Sequence, residues 1–414
     1  MVTSANIEEA ADNLKGVATA TPLQFNAQLS EEYGCNIYLK REDLQPVRSY
    51  KLRGAYNKIA SLSDEEKKRG VVCASAGNHA QGVAYACTKL KIKGVIYMPA
   101  TTPSQKVNRV KFFGKENVEV VLIGDSFDDA NSMALAYCEG NKSVFVHPFD
   151  DEKVIEGQGT VGKEILDEID VPIDYLIVPV GGGGLAAGAA TYFKDKSPDT
   201  VIIGAEPMGA PSMHTSIKNG VNTPLEEIDT FVDGAAVKRV GDNTFAICKD
   251  KLEKVELVPE GRVCSLILEL YNREGIVVEP AGALATACAS LMTDKLKGKN
   301  VVCVVSGSNN DIMRMEEIKE RSLLFEGLKH YFSINFPQRP GALKRFVTDI
   351  LGPTDDITYF QFAKKNNRDI ATAVVGLELN SKEDVEGIKQ RLHENKFSFE
   401  YLNDNQALFT QLIG

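Results

Sequence analysis

Four consecutive glycines, Gly181-Gly182-Gly183-Gly184, stand between an apolar run of strand length, Tyr175-Leu176-Ile177-Val178-Pro179-Val180, and an alanine-rich stretch over residues 185–193. The apolar run has the composition of a strand buried on both faces, and the alanine-rich stretch reads as a helix. The glycines therefore occupy a strand-to-helix turn, where backbone amides converge at the positive end of the helix and suit an anion such as phosphate. No Lys-Ser/Thr pair follows them, which excludes a Walker loop, but Gly181, Gly183 and Ala186 formally satisfy the relaxed dinucleotide pattern. By themselves the glycines leave the ligand open, and a flexible surface loop is the ordinary alternative.

A lysine narrows the choice. Most lysines are solvated charges, but Lys51 lies in Ser49-Tyr50-Lys51-Leu52-Arg53-Gly54-Ala55, where Tyr50 can pack beside a cofactor and Gly54-Ala55 open a helical segment over residues 55–60. A lysine whose pKa is lowered by desolvation can condense with a carbonyl and later accept a proton. A third motif, Ser75-Ala76-Gly77-Asn78-His79-Ala80-Gln81-Gly82, follows the short strand Val71-Val72-Cys73-Ala74 and leads into a helical pattern over residues 80–90. Ser75, Asn78 and the free amides at that helix start suit a carboxylate or a phenolic oxygen, with N-capping as the simpler alternative. His79 reads as a capping or packing residue without a catalytic role. An amine, a polar loop and a phosphate cradle together suggest pyridoxal 5'-phosphate.

With these motifs in this order, the chain resembles the fold-type II pyridoxal phosphate enzymes, and within them the threonine dehydratases. The resemblance covers nearly the whole chain. It takes in Thr21-Pro22-Leu23, Leu39-Lys40-Arg41-Glu42-Asp43, His147-Pro148-Phe149-Asp150, Glu279-Pro280-Ala281-Gly282-Ala283 and Ser306-Gly307-Ser308-Asn309. It implies that Lys51 holds the cofactor aldehyde, with Tyr50 beside it. Asn78 would bond the ring oxygen, and Gly181, Gly182, Gly183, Gly184 and Leu185 the phosphate. Ser306 would face the pyridine nitrogen, Glu279 would lie near the ring, and Ser75, Ala76, Gly77 and Asn78 would clamp the substrate carboxylate. A serine hydroxyl cannot hold a ring nitrogen protonated by charge pairing, which favours prompt loss of a beta leaving group over a long-lived carbanion. The implied reaction is alpha,beta-elimination of L-threonine to 2-oxobutanoate and ammonia, with Lys51 as general base. Without the resemblance, Ser306 reads equally as a cap after residues 301–305, and Glu279 as a helix-start carboxylate ahead of Pro280. Tyr50 stands where many members of the family have phenylalanine, and Ser308 replaces a smaller residue; neither change removes a catalytic group.

Composition fits a soluble metabolic enzyme. The chain has 414 residues, 43% of them hydrophobic, with no apolar run approaching a membrane span and no secretory signal at its start. A net charge of -10 without a long basic tract argues against nucleic acid or an anionic membrane as partner. Eight cysteines without a CxxC pair read as reduced, mostly buried thiols of a cytoplasmic protein. The five histidines are dispersed, so no metal site is expected.

From Val71 to Ser306 strands alternate with helices, the pattern of parallel sheets covered on both faces, and the expected fold class is α/β. The resemblance implies a catalytic domain over residues 1–322 in two lobes, the smaller over about residues 73–150. After a charged helix at residues 315–321 the pattern becomes strand, helix, strand, strand, helix, strand, ending near Phe397-Ser398-Phe399-Glu400-Tyr401. Residues 325–414 thus resemble one α+β ACT-like ferredoxin-type domain. In Asn335-Phe336-Pro337-Gln338-Arg339-Pro340-Gly341-Ala342-Leu343 a Pro-Gly turn opens a helix, where related domains bind effectors. The family role is feedback control, here by isoleucine with valine as a second candidate, in a homotetramer; a domain used only for subunit contact is the alternative. Two other functions remain open at this point: a serine dehydratase or racemase, which shares the lysine and glycine motifs but lacks the C-terminal module, and a non-enzymatic amino-acid sensor.

Overall fold

The computed structural model describes residues 1–362 and 369–412. These fall into two units, Met1–Ile312 and Met313–Gly414. The first unit begins with β1 (Leu23–Asn26) and β2 (Asn36–Arg41). The chain then leaves that sheet to build a second one from β3 (Val71–Ala74), β4 (Gly94–Met98), β5 (Val118–Leu122) and β6 (Val144–Phe145). It returns through β7 (Tyr175–Pro179), β8 (Val201–Pro207), β9 (Lys254–Val258) and β10 (Asn300–Val305). The large sheet has the order β1-β2-β10-β7-β8-β9 and the small one β5-β4-β3-β6. Every pairing in both is parallel except β1 with β2. The apolar runs are central strands: β3 is buried along its whole length, and β7 and β10 at all but their first residue.

Helix Lys51–Ala60 begins four residues before the expected segment over residues 55–60. The reason is local: the Ser49 hydroxyl accepts from the Lys51 amide at 3.2 Å and the Tyr50 carbonyl from the Arg53 amide at 2.9 Å. Lys51 is thereby the first helical residue. The helix serves two cores, because its Ala55 and Ile59, with Leu62 just beyond its end, pack with the small sheet while its other side lies on helix Glu152–Glu168. That second contact is close, since a Cβ on Gly157 would stand 2.5 Å from the Arg53 carbonyl oxygen. A buried charge cluster fixes the crossing. Arg53 gives Nε and Nη2 to Glu42, each at 2.8 Å, and Nη1 and Nη2 to Glu164 at 2.6 and 2.8 Å. Lys40, fully buried, reaches Glu164 at 2.9 Å.

In the second unit, helix Met315–Phe325 precedes β11 (Lys329–Pro337), helix Ala342–Asp349, β12 (Asp356–Phe362), β13 (Ile370–Glu378), helix Asp384–Glu394 and β14 (Ser398–Tyr401). The sheet order β12-β13-β11-β14 is antiparallel throughout, the arrangement of a ferredoxin-type fold. One face carries the core of Phe332, Ile334, Phe336, Phe346, Ile388 and Leu392. The chain does not stop at β14: helix Gln406–Leu412 packs Leu408, Phe409 and Leu412 with Tyr331, Val374 and Leu402. Sequence reading missed it because about two turns carry too little periodicity to register.

Among the described residues no helix is long and apolar enough to cross a membrane. All eight cysteines are free, seven of them buried.

Replacing Arg53 by methionine leaves the buried Glu42 without its guanidinium and Glu164 with Lys40 alone. Chemical denaturation of the variant is expected to show a loss of about 3–5 kcal/mol in the stability of the first unit; a loss under about 1 kcal/mol would show that the cluster does not hold the crossing.

Candidate active site

The three sequence motifs and the two later ones arrive at one place by different routes. Lys51 opens its helix, Asn78 opens helix Asn78–Leu90 at the carboxyl end of β3, and Glu279 precedes helix Pro280–Ser290. Ser306 follows β10, and Gly181 follows β7. Their side chains and backbone line one cavity with Tyr50, Pro179, Gly234, Ala235 and Ala281. Backbone bonds lock these segments together: Tyr50 donates to the Ser306 carbonyl at 3.2 Å, and Glu279 to the Gly307 carbonyl at 3.2 Å. A short antiparallel bridge joins Ser49 to Gly307.

The Lys51 amine donates to the Pro148 carbonyl at 3.0 Å and lies 5.3 Å from the centre of the Tyr50 ring. Burial pushes its pKa down to about 8, although the nearby Glu279 carboxylate opposes the shift. Glu279 is displaced the other way, up to about 7, by burial and by Asp233. Two groups that would carry opposite charges in water are thus both drawn toward neutrality, the pattern expected where proton transfer is required. Glu279 Oε1 accepts from Asn78 Nδ2 at 2.6 Å, and Asn78 Oδ1 accepts from Asn309 Nδ2 at 2.7 Å. The Asn78 carboxamide is held from both ends. Ser306 donates its hydroxyl to the Ala281 carbonyl at 3.2 Å.

The glycine turn has features that suit an anion. Helix Gly184–Lys196 starts within it, and Gly183, at φ 93°, adopts a conformation that side chains disfavour. Among the described residues no backbone carbonyl accepts from the amides of Gly181, Gly182 or Gly183, so these donors remain for a ligand. The opposite wall is the loop His147-Pro148-Phe149-Asp150. The Phe149 ring fills the space a Cβ on Gly182 would need. Asp150 takes the amides of Asp242, Asn243 and Thr244 at 3.0, 3.0 and 3.2 Å, and the Thr244 hydroxyl donates to the Gly182 carbonyl at 2.6 Å.

Not every expected residue borders the cavity beside Lys51. Gly182, Gly183 and Gly184 continue away from it around the turn, and Leu185 is buried in the core of the large sheet. Ser75, Ala76 and Gly77 form the turn between β3 and helix Asn78–Leu90, with the Ser75 hydroxyl accepting from the Gly77 amide at 3.2 Å. His79 donates Nε2–H to the Val146 carbonyl at 2.8 Å, and burial lowers its pKa to about 3. Sequence reasoning gave no role to Pro148, Gln158, Asn309 or the Gly234-Ala235 pair. Only Pro148 and Asn309 lay in segments it had singled out.

With this geometry in view, comparison with known proteins is specific. Residues 14–307 match the family model of "Pyridoxal-phosphate dependent enzyme", and residues 320–412 that of "C-terminal regulatory domain of Threonine dehydratase". The chain is 56% identical over 400 residues to the "L-threonine dehydratase biosynthetic IlvA" of Halalkalibacterium halodurans, covering 97% of this chain and 96% of the relative. Among solved structures it is similar to threonine deaminase isoform 2 of Solanum lycopersicum, with 41% identity, a TM-score of 0.73 and coverage of 77% of this chain and 94% of the other. The serine racemase of Dictyostelium discoideum aligns at 33% identity and TM-score 0.70, over 75% of this chain and 99% of its own.

Because the Lys51 pKa is lowered to about 8, its neutral, nucleophilic form appears about two and a half pH units earlier than for an ordinary lysine. Labelling of the cofactor-free protein with a small amine-acylating reagent, read by peptide mass spectrometry, is expected to reach half its maximal rate at Lys51 near pH 8. Half-maximal labelling above about pH 10, as for solvated lysines, would refute the desolvated environment.

Proposed function

The chain belongs to the pyridoxal-phosphate dependent enzymes and, within them, to the threonine dehydratases, and on that premise we propose that it converts L-threonine to 2-oxobutanoate and ammonia with Lys51 as catalytic residue. The observation that carries the reading is the Lys51 amine, buried and lowered to about pKa 8, in one cavity with Asn78, Gly181 and Ser306.

The residues fit pyridoxal 5'-phosphate. The unpaired amides of the glycine turn and the positive end of helix Gly184–Lys196 suit its phosphate. In this reading Gly181, Gly182, Gly183, Gly184 and Leu185 hold the phosphate, Lys51 the aldehyde, Asn78 the ring oxygen and Ser306 the ring nitrogen, with Tyr50 and Glu279 bordering the ring. When bound, the cofactor supplies a carbonyl that captures the substrate amine and a conjugated ring that disperses negative charge at the substrate alpha carbon. The chain's own residues do the rest. Ser75, Ala76, Gly77 and Asn78 take the substrate carboxylate and so orient the alpha C–H. The neutral Lys51 amine, available near neutral pH because of its burial, takes the alpha proton. Ser306 offers a hydroxyl and no negative charge, which leaves charge on the substrate and promotes departure of the beta hydroxyl as water. The enamine that is released hydrolyses to the keto acid and ammonia.

Serine racemase shares the catalytic fold, but its whole length aligns with 75% of this chain, whereas the remaining C-terminal part matches the regulatory domain of threonine dehydratase. That favours the threonine reaction under feedback control, as the first step of isoleucine biosynthesis; a cytoplasmic homotetramer belongs to the same proposal. For the effector, the second unit has a pocket walled by Phe336, Leu343, Phe360 and Phe362 with Arg339 at its edge. Aromatic and aliphatic walls with one guanidinium suit a branched-chain amino acid, its side chain on the rings and its carboxylate on the cation. Isoleucine is the proposed inhibitor, with valine as a second ligand of the same chemistry.

Product analysis with L-threonine and L-serine tests the reaction. Lys51→Ala is expected to lower 2-oxobutanoate release by about 1000-fold or more and to abolish the visible absorbance of the cofactor-loaded protein; a variant that keeps both would end the assignment. In a separate assay, Phe360→Ala is expected to raise the isoleucine concentration for half-inhibition about 10-fold with catalysis in its absence unchanged. Unaltered inhibition would move the effector elsewhere.

A further inference from the structure

Gln158, on helix Glu152–Glu168, is fully shielded from solvent and belongs to no role described so far. Its Nε2 donates to the Pro148 carbonyl at 3.2 Å, the same oxygen that accepts from the Lys51 amine at 3.0 Å. Its Oε1 has no hydrogen-bond partner and lies against Gly184, where an added Cβ would collide with it. Its Cγ stands 3.0 Å from the position of a Cβ on Gly54, one turn along the Lys51 helix. One buried carboxamide therefore touches the carbonyl that holds the amine, the helix that carries the amine, and the turn that forms the anion cradle. Buried carboxamide oxygens are ordinarily paired, and an apolar side chain of the same length would pack here without that cost.

We propose that Gln158 is a positioning residue that couples the two ends of the cofactor site, holding the Pro148 carbonyl so that the Lys51 amine is aimed into the cavity while bracing the Gly184 end of the phosphate cradle. The inference rests on the reading of this cavity as a pyridoxal phosphate site. Its physical basis is directional. With Nε2 occupying one lone-pair direction of the Pro148 oxygen, the amine must use the other. A neutral amine that donates one N–H there turns its own lone pair away from that carbonyl. Without the Gln158 donor, the carbonyl and the amine each gain freedom that must be lost again when the amine meets an aldehyde.

The test uses the full-length protein freed of cofactor and two ligands: pyridoxal 5'-phosphate, and its 4'-deoxy analogue, which keeps the ring and phosphate but carries a methyl group in place of the aldehyde. Only the first can condense with the lysine, forming a carbon–nitrogen double bond with loss of one water. Dissociation constants are measured by fluorescence titration for wild type, Gln158→Met and Gln158→Glu. In Gln158→Met, similar in volume but without the donor, affinity for the aldehyde ligand is expected to fall about 10-fold while that for the analogue changes by less than about 2-fold. In Gln158→Glu a carboxylate stands beside the cradle, and both phosphates are expected to bind at least about 10-fold more weakly. Equal losses for the two ligands in Gln158→Met, or none, would overturn the proposal, since a packing role moves both together or neither. A wild-type protein that binds the analogue but never develops the absorbance of condensation would instead overturn the reading of the cavity itself, and it is recognised without reference to any variant.

Discussion

The guanidinium of Arg53, clasped in the interior by Glu42 and Glu164, sets where the Lys51 amine can be. Arg53 is two residues from Lys51 on the same helix, and its two partners belong to different parts of the large-sheet lobe. Glu42 follows β2, and Glu164 is on helix Glu152–Glu168. A buried ion pair is weak evidence of net stability, because desolvation consumes much of the Coulomb gain. It is strong evidence of geometry, since a planar guanidinium with two carboxylates tolerates little displacement before a buried charge is left unpaired. The same helix carries Gly157, which admits the Lys51 helix, and Gln158, which reaches the Pro148 carbonyl. Placement of the amine is thus decided mainly from one helix behind it.

Electrostatics in front of the amine follows from burial. The cavity is small, and beside Lys51 its walls combine backbone and apolar groups with the polar side chains of Tyr50, Asn78, Glu279 and Ser306. Desolvation disfavours the charged form of both an amine and a carboxyl, so Lys51 falls and Glu279 rises. Asn78, bonded to Glu279 and Asn309 at once, ties the small sheet's first helix to the two segments that close the large sheet. Lys106 and Asp233, paired at 2.9 Å, make a second link between helix Ser104–Gly114 and the stretch that includes Gly234 and Ala235. The site is assembled from both lobes, and neither lobe holds a complete set of its polar groups.

The second unit solves a different problem. Its sheet must bury both faces, and it does so with helices Ala342–Asp349 and Asp384–Glu394 over one core and the terminal helix Gln406–Leu412 with Leu324 over the other. The pocket at the end of β11 is then formed where the Pro-Gly turn interrupts this packing and leaves Phe360 and Phe362, on the edge strand β12, partly uncovered.

Most of this architecture is legible in the chain. Buried parallel strands declare themselves as unbroken apolar runs, so β3, β7 and β10 could be placed from composition, and the order of elements after His330 could be read from the alternation of strand and helix periods. That the glycine turn follows a strand and opens a helix, and that Lys51 lies near the start of one, is legible for a similar reason: residue types and backbone freedom are local in sequence. Helix starts are less so. The helix at Lys51 begins early because Ser49 and Tyr50 supply its first hydrogen bonds, and no residue pattern there announces it. Gln158 and Asn309 could not be assigned from sequence, because a buried carboxamide has the same letter as a solvated one, and what distinguishes these two is contact with Pro148 and with Asn78, distant along the chain. The same holds for the shifts of Lys51 and Glu279: residue type supplies a proton-transferring group, but burial sets its pKa, and burial belongs to the tertiary structure alone.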